Sequence, residues 1–169
     1  MPKRTSPPTF STTKPNFILD EMLKGLIRWL RFLGFHTFTF AEWQKMNSQL
    51  TSEAKFILVT ASEKNLKKYQ AKNLTSMLLK SDAISDQLAE LNEQLNIFDQ
   101  MEPLTICSEC NIKIETIGKE SIKSQIPDKI YKFYNHFWHC PNCKRIYWEG
   151  GHIKRLKDKL IRMGVPIQE

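Results

Sequence analysis

The chain has 169 residues, 41% of them hydrophobic and 25% charged, a balance that supports a packed core in one or two domains. No apolar run approaches the ~18 residues of a membrane-spanning helix, and residues 1–15 lack the apolar stretch of a secretory signal. Twenty-five Lys/Arg against 18 Asp/Glu leave a net charge of +7, which suits a polyanionic partner such as nucleic acid.

Along the chain, Pro, Ser, Thr and Lys dominate residues 1–15, the composition of a disordered arm or of a targeting or docking segment. Phe17-Ile18-Leu19 is a compact buried strand ending at Asp20. Next comes EMLKGLIRWLRFLG. Its apolar positions Met22, Leu23, Leu26, Ile27, Leu30 and Leu33 recur at helical spacing, and Gly34 is the natural stop. His36 to Phe40 has strand composition, and residues 41–54 suggest a short helix. Phe56 to Thr60 is the clearest buried strand. A polar helix follows over Ala61 to Ala71, then a strand at Met77-Leu78-Leu79. The next helix spans Ser85 to Leu95, with Ile84, Leu88, Leu91 and Leu95 on one stripe. Strands alternating with helices predict an α/β fold with a mainly parallel sheet. Asp20, Ser62 and Asp82 all lie just past strands, where functional groups of such sheets gather.

Charge changes abruptly along this order. Residues 1–80 carry 13 Lys/Arg against 5 Asp/Glu, residues 81–103 none against 6, and residues 104–169 twelve against 7. The α/β part therefore runs over 16–103, joined near Met101-Glu102-Pro103 to a second part over 104–169. That part holds an alternating strand NIKIETIG, a polar helical stretch from Ser121 to Tyr134, and a final basic helix, HIKRLKDKLIRMG. Ile153, Leu156, Leu160 and Ile161 form its apolar side, and Gly164 and Pro166 end it.

All four cysteines fall in the second part, as C-x2-C-x29-C-x2-C. Two thiolates two residues apart reach one ion from a tight turn, and two such turns close a tetrahedral shell. Cys107, Cys110, Cys140 and Cys143 therefore predict one structural Zn²⁺, whose binding energy helps fold a segment with little core. The pattern also points to a reducing compartment, hence a cytoplasmic location. His136 and His139 flank the second pair as substitute ligands or, in the blander reading, packing groups. Trp138, Tyr147 and Trp148 read either as a small core around the metal or, for an exposed ring, as a base-stacking surface. The basic helix with Lys154, Arg155, Lys157, Lys159 and Arg162 could track phosphates or simply face solvent.

The segments LDEMLKGLIRWLRFLGF, ILVTAS, LLKSDAISDQL, CSEC and HFWHCPNCKRIYWEGGH appear in that order. Over Asn16 to Leu160 the chain resembles the C-terminal ribonuclease domain family named after the mutator-seven exonuclease of worms. The resemblance implies a PIN-like parallel sheet flanked by helices, followed by a small C-terminal zinc ribbon. It also implies acidic residues at one sheet edge that hold Mg²⁺ or Mn²⁺ and cut RNA with activated water. Asp20 matches the family's first acid and Asp82 its Ser-Asp pair. Where the family has Thr-Arg-Asp after the central strand, this chain has Thr60-Ala61-Ser62, so a hydroxyl replaces a charged ligand. Lys24-Gly25 stands where the family tends to have Gly-Arg, while Arg28, Trp29 and Arg31 are retained.

The expectation is an RNA-binding protein with a degenerate ribonuclease centre at Asp20 and Asp82, acting on a ribosome or another ribonucleoprotein. Arg28, Arg31, Trp148, Lys154, Arg155 and Lys157 are the candidate RNA contacts. One alternative is an active divalent-metal ribonuclease completed by Glu42, Glu53 or Glu63. The other is a module that binds an acidic protein partner.

Overall fold

Asn16–Leu19 is buried at every position and forms β1 inside a four-stranded parallel sheet. The computed structural model describes residues 13–46 and 55–167. The expected arm at 1–15 and the candidate Glu53 therefore lie wholly or mostly outside the described residues. β2 (Thr37–Thr39), β3 (Phe56–Thr60) and β4 (Ser76–Leu78) complete the sheet in the order β2-β1-β3-β4. Phe17 aligns with both Thr37 and Ile57, and Leu58 with Ser76, so all four strands point the same way. Parallel neighbours need crossovers, which is why helices separate them. α1 (Lys24–Phe32) joins β1 to β2, and α3 (Glu63–Gln70) joins β3 to β4.

The chain enters α1 through a 3-10 turn, Glu21–Leu23. This turn shifts the helical register, so Met22, placed by its spacing on the apolar stripe, is 74% exposed. Leu26, Ile27 and Leu30 are buried as their spacing requires. At the end of α1, Phe35 N–H bonds Leu30 C=O and Gly34 N–H bonds Arg31 C=O, the paired bonds of a Schellman stop. Gly34 has φ +91°, and a side chain there would collide with the Glu102 carbonyl. α2 (Phe40–Met46) takes Phe40 from the expected strand because a capping box starts it. Glu42 N–H donates to Thr39 Oγ1 (3.1 Å), and Thr39 N–H donates to Glu42 Oε2 (2.8 Å). α4 (Ile84–Leu95) buries Leu88 and Leu91 against the sheet and ends at Asn96 with φ 48°.

Beyond Pro103 a small antiparallel sheet has the order β5-β6-β7, from Glu115–Thr116, Trp138–His139 and Ile146–Tyr147. The expected strand over 111–118 shrinks to two residues because Asn111 turns (φ 56°) and Ile114 N–H is held by Thr105 C=O. The expected helix from Ser121 to Tyr134 divides at Pro127. A 3-10 turn, Lys119–Ile122, precedes it and α5 (Asp128–Phe133) follows. α6 (Gly151–Arg162) ends in a second Schellman pair, Val165 to Leu160 and Gly164 to Ile161, with Gly164 at φ +84°. Leu160 and Val165 belong to the same buried cluster as Phe17, Leu30, Leu88 and Leu91, so the end of the chain returns to the α/β core. No helix among the described residues is long and apolar enough to cross a membrane.

Candidate functional site

The two CxxC turns are copies of one another. In the first, Cys107 N–H bonds Ile112 C=O (2.8 Å) and Asn111 N–H returns to Cys107 C=O (2.9 Å). In the second, Cys140 N–H bonds Arg145 C=O and Lys144 N–H returns to Cys140 C=O, both at 2.9 Å. Asn111 and Lys144 close the turns with φ of 56° and 61°. Each turn thereby points two sulfurs inward. The four Sγ atoms lie within 4.8 Å of one another, and those of Cys107 and Cys143 are 3.8 Å apart. A tetrahedral shell with Zn–S near 2.3 Å has S···S edges of about 3.8 Å, so the four thiols fit and could hold one zinc ion.

Further donors already face the sulfurs. Cys110 N–H reaches Cys107 Sγ at 3.3 Å, Tyr147 Oη reaches it at 3.1 Å, and Asn142 Nδ2 reaches Cys110 Sγ at 3.3 Å. Burial pushes the Cys140 thiol up to about 12 and raises Cys110 too. Burial also opposes ionisation of Cys107, but the Tyr147 hydroxyl and nearby backbone N–H groups outweigh it and leave that thiol lowered. Tyr147 and Asn142 are thus partners of the sulfurs. His136 is exposed and His139 lies 3.7 Å from the Glu115 carboxylate, so neither stands in the four-sulfur group.

The first turn is fastened to sheet edge β2. Asn111, 3% exposed, accepts Thr37 N–H on Oδ1 (2.9 Å), and His36 Nδ1 donates to its carbonyl (2.9 Å). Arg31 supplies the largest part of the junction. Its Nε and Nη2 donate to Thr37 C=O at 3.0 and 2.8 Å. Its Nη1 donates to Ser108 C=O at 2.8 Å and Glu109 C=O at 3.3 Å. Burial lowers the Arg31 pKa, and Glu42, 3.8 Å away, opposes that shift. This corrects the expectation for Arg31. At 7% exposure, with its fork on backbone carbonyls, it has almost no surface and few free donors left for RNA.

At the carboxyl edge of the large sheet, Asp20 is 6% exposed. It makes no cap bond to the turn that follows. Instead Thr60 Oγ1 and Asn65 Nδ2 (3.0 Å) donate to Oδ2, and Tyr69 Oη (2.8 Å) donates to Oδ1. Burial raises the Tyr69 pKa, and the bond to Asp20 adds to the shift, so the phenol stays a donor. Three of the carboxylate's roughly four lone-pair directions are thus taken by neutral protein groups. Ser62 is the N-cap of α3 and accepts Asn65 N–H on Oγ at 3.4 Å. Asp82 is exposed in the turn after β4. The same turn is held by Glu90, which no sequence motif marks. That carboxylate accepts Lys80 N–H and Ser81 N–H, both at 2.9 Å. Burial opposes Glu90 ionisation, but these bonds prevail and hold its pKa below the usual range. Glu42 is the capping-box acid of α2, and Glu63 is exposed in the first turn of α3.

A profile of the Mut7-C RNAse domain matches residues 15–160, from the first strand through both cysteine turns to α6. The chain belongs to the Mut7-C RNAse domain family. No curated protein and no solved structure gives a significant match.

The candidate RNA contacts of this Mut7-C domain fall in different places. Arg28, Trp148 and Arg155 meet in one cleft of about 410 Å³ between α1, α5, the second cysteine turn and α6. Tyr134, Arg145, Tyr147 and His152 also line it, and of these the sequence marks Tyr147 alone, as a core or stacking ring. The signal for Arg145 was its place directly after the second turn. Arg28 Nη2 lies 3.4 Å from His152 Nε2, so α1 and α6 meet at the cleft. Trp148 packs against the Ile122, Ile126 and Phe137 cluster and over Gly150, where a side chain would collide with the indole. Lys157 is paired with Glu149 at 2.8 Å, and Lys154 is exposed on the outer face of α6.

Proposed function

We propose that this protein binds RNA on a PIN-like α/β scaffold (16–103) bearing a C-terminal zinc ribbon (104–169), and that its ribonuclease centre is degenerate. Family membership supports an RNA-related, nuclease-like origin. The observation that carries the loss of cleavage is that neutral donors from Thr60, Asn65 and Tyr69 occupy most of the Asp20 carboxylate. A magnesium ion at about 2.0–2.1 Å would have one lone-pair direction left on Asp20 and would compete with these donors for the rest, and the three neutral partners offer it no second carboxylate. The residue at the family's next acidic position, Ser62, is a helix cap with a neutral hydroxyl. Losing charged ligands removes several kcal/mol of transition-state stabilisation from an ion-dependent cut, on the order of magnitude of such terms.

In this reading the zinc is structural, because four sulfurs leave it no open position for water. The net charge of +7 supplies a salt-sensitive attraction to phosphates. A ribosome or another ribonucleoprotein would offer such RNA in cytoplasm. The test is RNA binding and RNA cleavage by the full chain with Mg²⁺ or Mn²⁺. Binding that weakens steeply with salt, without cleavage, is the expected result. Metal-dependent cleavage that disappears in Asp20→Ala would overturn the proposal and favour an active site rearranged around Asp20 and Asp82.

A further inference from the structure

The cleft between α1, α5, the second cysteine turn and α6 lies apart from the carboxyl-edge acids. It is lined by three arginines, Arg28, Arg145 and Arg155, and by aromatic rings that include Tyr134, Tyr147 and Trp148. Its remaining lining is mainly aliphatic, and no Asp or Glu contributes to it. A volume of about 410 Å³ falls at the small end of the range, ~300–1,000 Å³, typical of small-ligand sites.

The three arginines differ in their commitments. Arg145 Nη1 is paired with Glu109 at 3.2 Å, outside the cleft lining. Arg28 contacts the His152 ring. Arg155 is exposed and has no hydrogen bond or ion pair among the described residues. Two cationic residues from different elements, α1 and α6, therefore line one cleft to which no Asp or Glu contributes. That is an arrangement for an anion, and the anion must carry a flat apolar part to use the floor. A nucleotide has both: a base that stacks on aromatic or apolar surface, and a phosphate that takes arginine forks.

We infer that this cleft seats one unpaired nucleotide of a single-stranded RNA, with the base on the aromatic floor and flanking phosphates on Arg28 and Arg155. The inference rests on the RNA-binding reading above and gives it a place and a strand preference. A paired base cannot enter a cleft of this size, because its Watson–Crick edge stays joined to the second strand. Charge alone would draw duplex and single strand alike.

The test uses the full zinc-loaded chain and a fluorescent single-stranded oligoadenylate, with a duplex RNA of equal length and adenosine monophosphate as comparators. Tryptophan emission gives a second readout, since a stacked base quenches the indole it covers. Arg28→Ala/Arg155→Ala removes two charges at the mouth. Lys67→Ala/Lys68→Ala removes two exposed charges on α3 and serves as the electrostatic control. The expected result is tighter binding of single strand than duplex, and about tenfold weaker single-strand binding in the arginine pair but not the lysine pair. Adenosine monophosphate should compete weakly, and the quench should shrink in Trp148→Phe. Equal losses in both charge pairs, equal affinity for duplex, or an undiminished quench in Trp148→Phe would overturn the cleft as the seat. Those outcomes leave RNA binding itself standing. A wild-type chain that binds no RNA overturns both, and displacement of bound RNA by polyglutamate but not by adenosine monophosphate would assign the cleft to an acidic peptide instead.

Discussion

Replacing Asp20 with Asn keeps the side chain's shape, removes its charge and turns one acceptor oxygen into a donor. Thr60, Asn65 and Tyr69 all donate to that carboxylate, so one of them must then face an N–H. The hydroxyls can rotate to accept, which limits the cost to about 1–2 kcal/mol of stability. In a cluster of metal-binding carboxylates the sign reverses, because removing one charge relieves repulsion and such sites are held at a cost in stability. Urea unfolding of Asp20→Asn, with and without Mg²⁺, separates these cases. A lower midpoint that Mg²⁺ does not move is expected. A raised midpoint, or one that climbs with Mg²⁺ in the wild type alone, would contradict a carboxylate held by neutral donors. Tyr69 gives a pH counterpart. Its folded pKa lies above that of an exposed phenol, through burial first and the bond to Asp20 second. Above about pH 10 the unfolded chain therefore loses a proton that the folded chain keeps, and stability falls as pH rises. Tyr69→Phe removes that contribution, so its stability curve should be flatter on the alkaline side, on top of a loss of about 1 kcal/mol at neutral pH.

At the scale of elements, what could be read from sequence was what local chemistry decides. Gly34 and Gly164 end their helices with left-handed backbone because only that geometry returns N–H groups to the last carbonyls. The two CxxC turns were equally legible, since spacing alone makes two sulfurs converge. Met22 was misplaced because a 3-10 turn, whose three-residue repeat differs from the helical one, precedes α1. Arg31 was misread for a deeper reason. Beside Arg28 it looks like part of a basic helix face, yet its acceptors Ser108 and Glu109 lie more than seventy residues away in the chain. No local pattern announces such a partner. The contact has a measurable consequence. Lysine offers one compact ammonium where the guanidinium fork serves Thr37, Ser108 and Glu109 together. Arg31→Lys should lose about 2 kcal/mol of stability by leaving buried carbonyls underserved, and it should speed the transfer of zinc to a chelator by loosening the first cysteine turn. Arg28→Lys, at an exposed position, should do neither. A surface RNA contact at position 31 would give the opposite pattern, with unchanged unfolding and weakened binding.

For the molecule as a whole, the change of composition and charge near Pro103 says nothing about how the segments before and after it meet. The stripe Ile153, Leu156, Leu160 and Ile161 was readable on the last helix, whereas its destination was not. Leu160 is fully buried with Phe17 and Leu30, Ile153 and Leu156 pack partly against the same cluster, and Ile161 is 45% exposed. Long-range packing of this kind depends on where the cysteine turns place the start of α6, because the second turn and the helix are separated by only a few residues. Arg31, His36 and Thr37 add a polar seam from the other side. Zinc removal therefore tests the entire architecture. Burial holds the Cys140 thiol up at about 12, so in an apo chain that sulfur stays a neutral thiol and the bonds that tie the two cysteine turns together through the metal are lost. Structural zinc supplies roughly 10–16 kcal/mol in isolated finger peptides, comparable to the ~5–15 kcal/mol that separates most folded domains from their unfolded states. Stripping the metal with a chelator, or replacing the exposed Cys143 with Ser, should then lower the melting temperature of the α/β part together with the cysteine part, in one calorimetric transition. Two transitions, with the upper one unmoved by metal loss, would show instead that the sheet around Phe17 stands without Leu160 and Val165.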